Sequence, residues 1–76
     1  MRKINEIAAE IRRDWKKVNF AAVPHLEAME ELATSDINAP YYSDTAKDMV
    51  IYFLANATSW RGDTARRVKA ELSGML

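Results

Sequence analysis

The residues of this chain that could do chemistry are few and far apart. His25 is the single histidine and there is no cysteine, so the chain lacks the cluster of imidazole and thiolate ligands that a zinc ion needs. Carboxylates lie close together at Glu27, Glu30 and Glu31, but spacings of 1, 3 and 4 on a helix are typical of a solvated face. No glycine-rich phosphate loop or nucleophile elbow is present. We therefore predict no catalysis, no cofactor and no metal site.

Two recognition tripeptides lie in the segment NATSWRGDTARR, residues 56–67. The first, Asn56-Ala57-Thr58, is a glycosylation sequon, and the second, Arg61-Gly62-Asp63, matches the sequence that integrins bind. Both functions require a secreted protein with an exposed loop, and the sequence indicates neither. We interpret the second tripeptide as a helix boundary, with Gly62 in a left-handed conformation after one helix and Asp63 accepting N–H bonds at the start of the next.

The same region also has some features of a DNA-binding helix-turn-helix unit, over about residues 54–72. Gly62 would form the turn, and the candidate nucleic-acid contacts are Arg61, Arg66, Arg67 and Lys69. However, Arg61 and Asp63 flank the turn where such units usually carry buried apolar residues. The formal net charge is also zero, whereas DNA binding generally needs an excess of basic residues. DNA binding is therefore the alternative to the function favoured below.

Charge is unevenly distributed along the chain. Residues 1–20 carry 6 basic and 3 acidic groups, residues 21–60 carry 1 and 6, and residues 61–76 carry 4 and 2. Two pairs oppose the helix dipole, since Glu30 and Glu31 lie near the end of a predicted helix and Arg66 and Arg67 near the start of another. Positions that break a local rule are often functional. We hypothesise that these four residues either pair with one another across the bundle or form two poles of a partner-binding surface.

The aromatic residues fall into two groups. Trp15 and Trp60 lie on apolar stripes of predicted helices, which favours packing in the core. Tyr41 and Tyr42 lie in a predicted loop, and tyrosine is a residue type that often anchors protein interfaces. Tyr41 and Tyr42 are therefore candidate partner-binding residues.

Apolar periodicity predicts the helices that must position these residues. The first runs from about residue 4 to 18 on the stripe Ile4, Ile7, Ala8, Ile11, Trp15 and Val18. The second begins near Ala21 or Ala22 and ends by Thr34, and a long loop covers residues 34–43. A third, capped by Ser43 or Asp44, is apolar on most sides and extends to Gly62, which predicts a central position. A short fourth helix begins at Asp63. The prediction is an all-α bundle of three main helices and a short C-terminal fourth, in one domain over residues 1–76.

Size and composition support a single cytoplasmic domain. A chain of 76 residues can build one core but not two. The absence of cysteine argues against a small secreted scaffold, which disulfides would usually stabilise. The first residues are basic but Glu6 and Glu10 interrupt any apolar signal segment. The longest apolar run, residues 49–55, has 7 residues, against the roughly 20 that cross a membrane. We expect no membrane partner.

Two stretches, INEIAAEIRRDWKKVNFAAVPHLEAM and YFLANATSWRGDTARRVKAEL, carry a resemblance that covers most of the chain. The combination resembles a group of small proteins encoded by phages and integrative elements of Gram-positive bacteria. This resemblance implies a cytoplasmic accessory protein of a mobile element and assigns no activity and no site residues. Together with the residue pattern, it favours a small non-catalytic protein-binding or regulatory module. The partner is then another protein or, in a homodimer, a second copy of the chain.

Overall fold

The chain folds into four α-helices and one small β-hairpin, in a computed structural model that describes all 76 residues. The helices are α1 (Ile4–Asp14), α2 (Val23–Glu30), α3 (Ala46–Ala55) and α4 (Asp63–Met75), and a 3₁₀ turn, Phe20–Ala22, leads into α2. The prediction of a mostly helical fold is confirmed, but the fold is not all-α. Strands β1 (Pro40–Tyr41) and β2 (Asp44–Thr45) pair antiparallel inside the stretch predicted to be a loop.

The core is a single cluster of 20 buried side chains, all of them hydrophobic. Helix α2 packs against both α1 and α3, while α4 packs against α1. The predicted stripe of the first helix is confirmed by the complete burial of Ile4, Ile7, Ala8 and Ile11. Helix α3 is less central than its composition predicts, because Ile51 and Tyr52 remain 40% and 43% exposed.

The ends of the helices differ from the predicted ones. Helix α1 ends at Asp14, four residues early, because the backbone turns out of the helix at Trp15 (φ −94°, ψ 92°). Trp15 is nonetheless buried and its ring stacks on Trp60 at 5.7 Å. Helix α3 ends at Ala55, so Trp60 reaches the core from a turn rather than from a longer helix. Helix α4, predicted to be short, has 13 residues and is the longest of the four.

Specific contacts satisfy the N–H groups at the helix starts. Thr45, rather than Ser43 or Asp44, caps α3, because its hydroxyl accepts from the Asp48 N–H and the Asp48 carboxylate accepts from the Thr45 N–H. The carbonyls of Leu32 and Thr34 accept from the first residues of α1. None of the helices combines the length and the apolar composition that crossing a bilayer requires.

Gly62 is the N-cap of α4 rather than the residue that ends the preceding helix. Its φ of +115° and ψ of 179° belong to a region that essentially only glycine adopts. Asp63 is the first residue of α4, and its carboxylate caps no N–H group but binds Arg66 within the same helix. The predicted need for glycine at position 62 is thus confirmed, while the predicted capping by Asp63 is wrong. Asn56, of the sequon, is the C-cap residue that follows α3.

Candidate binding surfaces

A network of four charged side chains joins α1 to α4. Arg2 contacts Glu10 at 2.9 Å and donates to Glu71, with 3.0 Å between Nε and Oε2, while Arg67 also binds Glu10. The bond from Arg67, and then that from Arg2, lowers the pKa of Glu10 below its ordinary value. The bond from Arg2 likewise lowers the pKa of Glu71. Arg67, predicted as a partner-binding residue, therefore lies in a contact within the fold.

Glu30 and Glu31 each have a partner inside the molecule. Glu30 receives two hydrogen bonds from Arg12 on α1, at 3.0 and 3.2 Å, and this pairing raises the pKa of Arg12. Glu31 receives a hydrogen bond from the Tyr41 hydroxyl at 3.0 Å. The two glutamates thus do not pair with Arg66 or with Arg67, and the hypothesis of pairing across the bundle is wrong. Both remain exposed, so their other role, in a partner surface, stays a prediction.

Three of the four residues predicted to contact nucleic acid surround one open depression beside the start of α4. They are Arg61, Arg66 and Lys69, and they line a volume of about 290 Å³. The fourth, Arg67, is turned away and bound to Glu10 on α1. Of the four candidate contacts, Arg61, Arg66 and Lys69 thus lie together and Arg67 lies apart from them, while their role in nucleic-acid binding stays a prediction.

The connection between α3 and α4 does not have the length of the turn in a helix-turn-helix unit. It runs over residues 56–62, which is seven residues, whereas that unit joins its helices with a turn of about 3–4 residues. The intervening residues Ala57 and Trp60 are buried in the core. The segment thus holds α4 on the bundle through its own apolar contacts.

Tyr42 lies at the tip of the hairpin with its side chain in solvent. Because Pro40 pairs with Thr45 and Tyr41 with Asp44, Tyr42 and Ser43 form a two-residue turn. Tyr42 is 87% exposed, and it is the one non-glycine residue with a positive φ, at 57°. Hairpin turns usually place Gly or Asn at such a position, since a Cβ atom there is strained. The turn therefore holds an aromatic ring in solvent at the expense of backbone strain.

Tyr41 supports this turn from one side. Its ring packs edge-on against that of Tyr42, with 4.9 Å between centroids, and contacts the core as a partly buried residue. Partial burial, and then the hydrogen bond to Glu31, raises the pKa of the Tyr41 hydroxyl. Of the two tyrosines predicted as partner contacts, Tyr41 anchors the hairpin and Tyr42 is free to contact another molecule.

The hairpin is fixed to the rest of the fold at its base. The first N–H groups of α3 donate to the segment that leads into β1, from Ala46 to the Ala39 carbonyl and from Lys47 to the Ile37 carbonyl, both at 2.8 Å. The side chains of Ile37 and Ala39 pack on the core. The tip is thus displayed on a rigid base.

One exposed aromatic surface was not predicted. Tyr52 and Ile51 on α3 are partly exposed, and the Tyr52 ring lies 5.3 Å from that of His25 on α2. Because α3 is apolar on most sides, its sequence predicted a central helix in which these residues would be buried. The outward spacing of Ile51 and Ala55, opposite the buried stripe of Val50 and Phe53, was the available signal.

No group of three or more histidine, cysteine, aspartate or glutamate side chains is placed to hold a metal ion. Comparison of the chain with models of protein families, with curated proteins and with solved structures found no match.

Proposed function

We propose that this protein is a small non-catalytic binding module that grips another protein through its tyrosine hairpin, residues 40–45. The observation that carries the proposal is the conformation of Tyr42. A strained backbone persists only where the surrounding structure enforces it, and such residues cluster at functional sites. Here the strained residue is a tyrosine whose side chain lies almost fully in solvent. Tyrosine is one of the residue types that dominate the binding energy at many interfaces.

The rigid base of the hairpin favours binding. A flexible loop loses conformational entropy when a partner orders it, whereas a preorganised one does not. The hydrogen bonds from Ala46 and Lys47, and the contact between Tyr41 and Glu31, fix the hairpin before any partner arrives. The Tyr42 ring would then enter a partner pocket with only two side-chain torsions to restrict.

The charges around the hairpin indicate the chemistry of the partner. Residues 31–48 contain four acidic side chains, Glu31, Asp36, Asp44 and Asp48, against one basic side chain, Lys47. Complementary charge speeds association and selects among partners. We therefore propose a partner surface that has an apolar pocket for Tyr42 and a basic rim.

The biological setting is part of the same proposal. The resemblance to accessory proteins of phages and integrative elements, together with the lack of cysteine, supports a role in the bacterial cytoplasm. The partner is then a protein of the host or of the element, and a second copy of the chain is the remaining case.

Affinity capture with matched variants tests the proposal. Tagged wild type, Tyr42→Ala and Phe20→Ala are incubated with lysate of the organism that carries the gene, and the captured proteins are quantified by mass spectrometry. Phe20 is the control because it is 91% exposed and precedes α2, whereas Tyr41 contacts Glu31 just after α2 ends. Circular dichroism first confirms that all three proteins are folded.

We expect wild type and Phe20→Ala to enrich the same protein. The amount that Tyr42→Ala captures should be lower by about tenfold or more, because the variant lacks an aromatic side chain that dominates the binding energy. Equal enrichment by all three, or enrichment by none, contradicts the proposal. Sedimentation of the wild type at increasing concentration shows whether the partner is a second copy.

Nucleic-acid binding is the second candidate, because Arg61, Arg66 and Lys69 gather around one depression. A gel shift with duplex DNA at two salt concentrations tests it. The logarithm of the affinity should fall by several units for each tenfold rise in salt concentration, since each phosphate that the protein neutralises releases counterions. Such a dependence supports this candidate. No shift at low salt removes it.

A further inference from the structure

The open depression beside the start of α4 is lined by three positively charged side chains. Its volume is about 290 Å³, and it is open to solvent beside the first turns of α4. The residues that line it are Trp60, Arg61, Gly62, Ala65, Arg66 and Lys69. Three of these six are cationic and none is acidic.

The cationic groups have few acceptors within the protein. Arg61 forms no ion pair and no side-chain hydrogen bond, and Arg66 binds only the carboxylate of Asp63. A guanidinium carries five N–H donors, so most of those in the two arginines are unpaired within the chain. Of the four arginines elsewhere, Arg2, Arg12 and Arg67 bind carboxylates of other segments, whereas Arg13 has no such partner. What distinguishes the depression is that its cationic groups gather around one open volume.

Lys69 is held in place by the floor of the depression. Its ammonium group donates to the Trp60 carbonyl at 2.6 Å and lies 5.8 Å from the centroid of the Trp60 ring. Partial burial, and then repulsion from Arg61, lowers the pKa of Lys69. An ammonium has three donors, and the carbonyl takes one of them. The charge is therefore fixed at the site and incompletely compensated.

We propose that this depression binds a phosphate-type oxyanion. The three cations and the one carboxylate of Asp63 leave a formal charge of about +2, which one phosphate dianion or two adjacent phosphodiester groups neutralise, whereas a single carboxylate ligand neutralises only half of it. Arginine donors match the geometry of phosphate oxygens, and lysine adds a point charge. The volume lies at the lower end of the range for ligand sites, about 300–1,000 Å³, so it suits a single phosphate group rather than a large ligand.

This inference rests on neither proposed function. The depression can hold an oxyanion whether the main partner is a protein or a nucleic acid. A negative result in the capture experiment, the gel shift or the phosphate titration therefore leaves the other two tests open. Two sources share the chemistry, namely a small phosphate or phosphomonoester and the phosphodiester backbone of a nucleic acid.

Titration of the ¹⁵N-labelled full-length protein with inorganic phosphate, followed by NMR, tests the site. Sodium chloride at matched ionic strength is the reference. We expect saturable shifts of the Trp60 indole and of the amides of residues 61–66, and smaller or non-saturating shifts with chloride. A parallel titration with a short oligothymidylate distinguishes the sources, since tighter, salt-dependent binding of the oligonucleotide assigns the site to a phosphodiester backbone. The absence of saturable shifts with both ligands overturns the proposal.

Variants at the rim of the depression should change the phosphate affinity in opposite directions. Arg61→Met removes a cation that has no partner in the protein, so the fold is unaffected, and we expect phosphate affinity to fall by about tenfold because a charged hydrogen bond is lost. Asp63→Asn frees Arg66 and should raise the affinity. Lys47→Met, which removes an exposed lysine on α3, should change nothing. Equal affinity of Arg61→Met and wild type would also refute the site.

Discussion

The molecule contains two groups of aromatic side chains with opposite environments. The rings of Trp15, Phe53 and Trp60 contact one another in the core, with centroids 5.7–6.4 Å apart. The Trp60 indole N–H donates to Asp14 at 2.8 Å, so the nitrogen of that ring has a hydrogen-bond partner. At the tyrosine hairpin, by contrast, the ring of Tyr42 packs edge-on against Tyr41, and Tyr42 remains 87% exposed.

The aromatic residues of the core cluster stabilise the fold, whereas Tyr42 does not. Those of the core cluster fill space between α1, α3 and the connection to α4, where their removal leaves a cavity. Tyr42 fills no space, and its backbone conformation opposes folding. Inside the molecule its ring packs only edge-on against Tyr41 and remains mostly in solvent, and this combination of strain and exposure is the reason for the proposed contact outside it.

The largest expected effect is at the centre of the core cluster. Phe53 is fully buried, so Phe53→Ala should lower the free energy of unfolding by about 3–5 kcal/mol. A domain of this size has a total of roughly 4–11 kcal/mol, so the variant should be partly or wholly unfolded. Urea denaturation followed by circular dichroism measures the change, with Phe20→Ala as the exposed control. A loss below about 1 kcal/mol would show that the cluster does not hold the fold.

Two residues have a positive φ, Gly62 before α4 and Tyr42 in the hairpin. The strain at such a position can be measured first at Gly62. Gly62→Ala should lower the free energy of unfolding by about 1–3 kcal/mol, since its backbone region excludes a Cβ atom. The cause is conformational rather than steric, because no atom lies within 4 Å of the added Cβ. Asp63→Ala should have little effect, as its side chain is 96% exposed. Equal losses at both positions, measured by urea denaturation, would restore the capping role of Asp63.

Acidification should weaken the α1–α4 side of the molecule through its charge network. The pKa values of Glu10 and Glu71 are lowered in the folded state from the ordinary 4.5, so the unfolded chain binds more protons as the pH falls. Their stabilisation is thus complete above that value and is lost as the pH falls through the lowered pKa. We expect the effect to be smaller than that of Gly62→Ala because both pairs are partly exposed.

Denaturation at several pH values checks this. The double variant Glu10→Gln, Glu71→Gln should show a shallower loss of stability below pH 4.5 than wild type. Glu27→Gln, at an exposed position without a bonded partner, should retain the wild-type slope. An unchanged slope in the double variant would mean that other carboxylates govern the acid response.

Sequence patterns predicted the helices well because burial follows the 3.6-residue period. The stripe of Ala46, Val50, Phe53, Ala57 and Trp60 is buried throughout. The end of α3 was not predictable in the same way, since Ala57 and Trp60 reach the core from a turn that happens to continue the helical spacing. Periodicity identifies which residues are buried more securely than it identifies where a helix ends.

The candidate surfaces were predictable only in part. Tyr42 was identified from its place in a loop, but the hairpin has none of the Asn-Gly or Gly-Gly signals that reveal such a turn. The partners of Arg67 and Glu30 were not predictable either. Arg67 binds Glu10, which is 57 residues away, and pairing over that distance depends on how the helices pack rather than on local sequence.

The variant Tyr42→Gly shows whether Tyr42 serves binding rather than the fold, when its stability and its capture of the partner are both measured. Relief of the left-handed strain, about 1–2 kcal/mol, exceeds the added backbone entropy of glycine, about 0.5–1 kcal/mol. We predict a free energy of unfolding that is unchanged or raised by up to about 1.5 kcal/mol, together with loss of the captured partner. A destabilised variant that still captures the partner would contradict the claim, because Tyr42 would then serve the fold and not the interface.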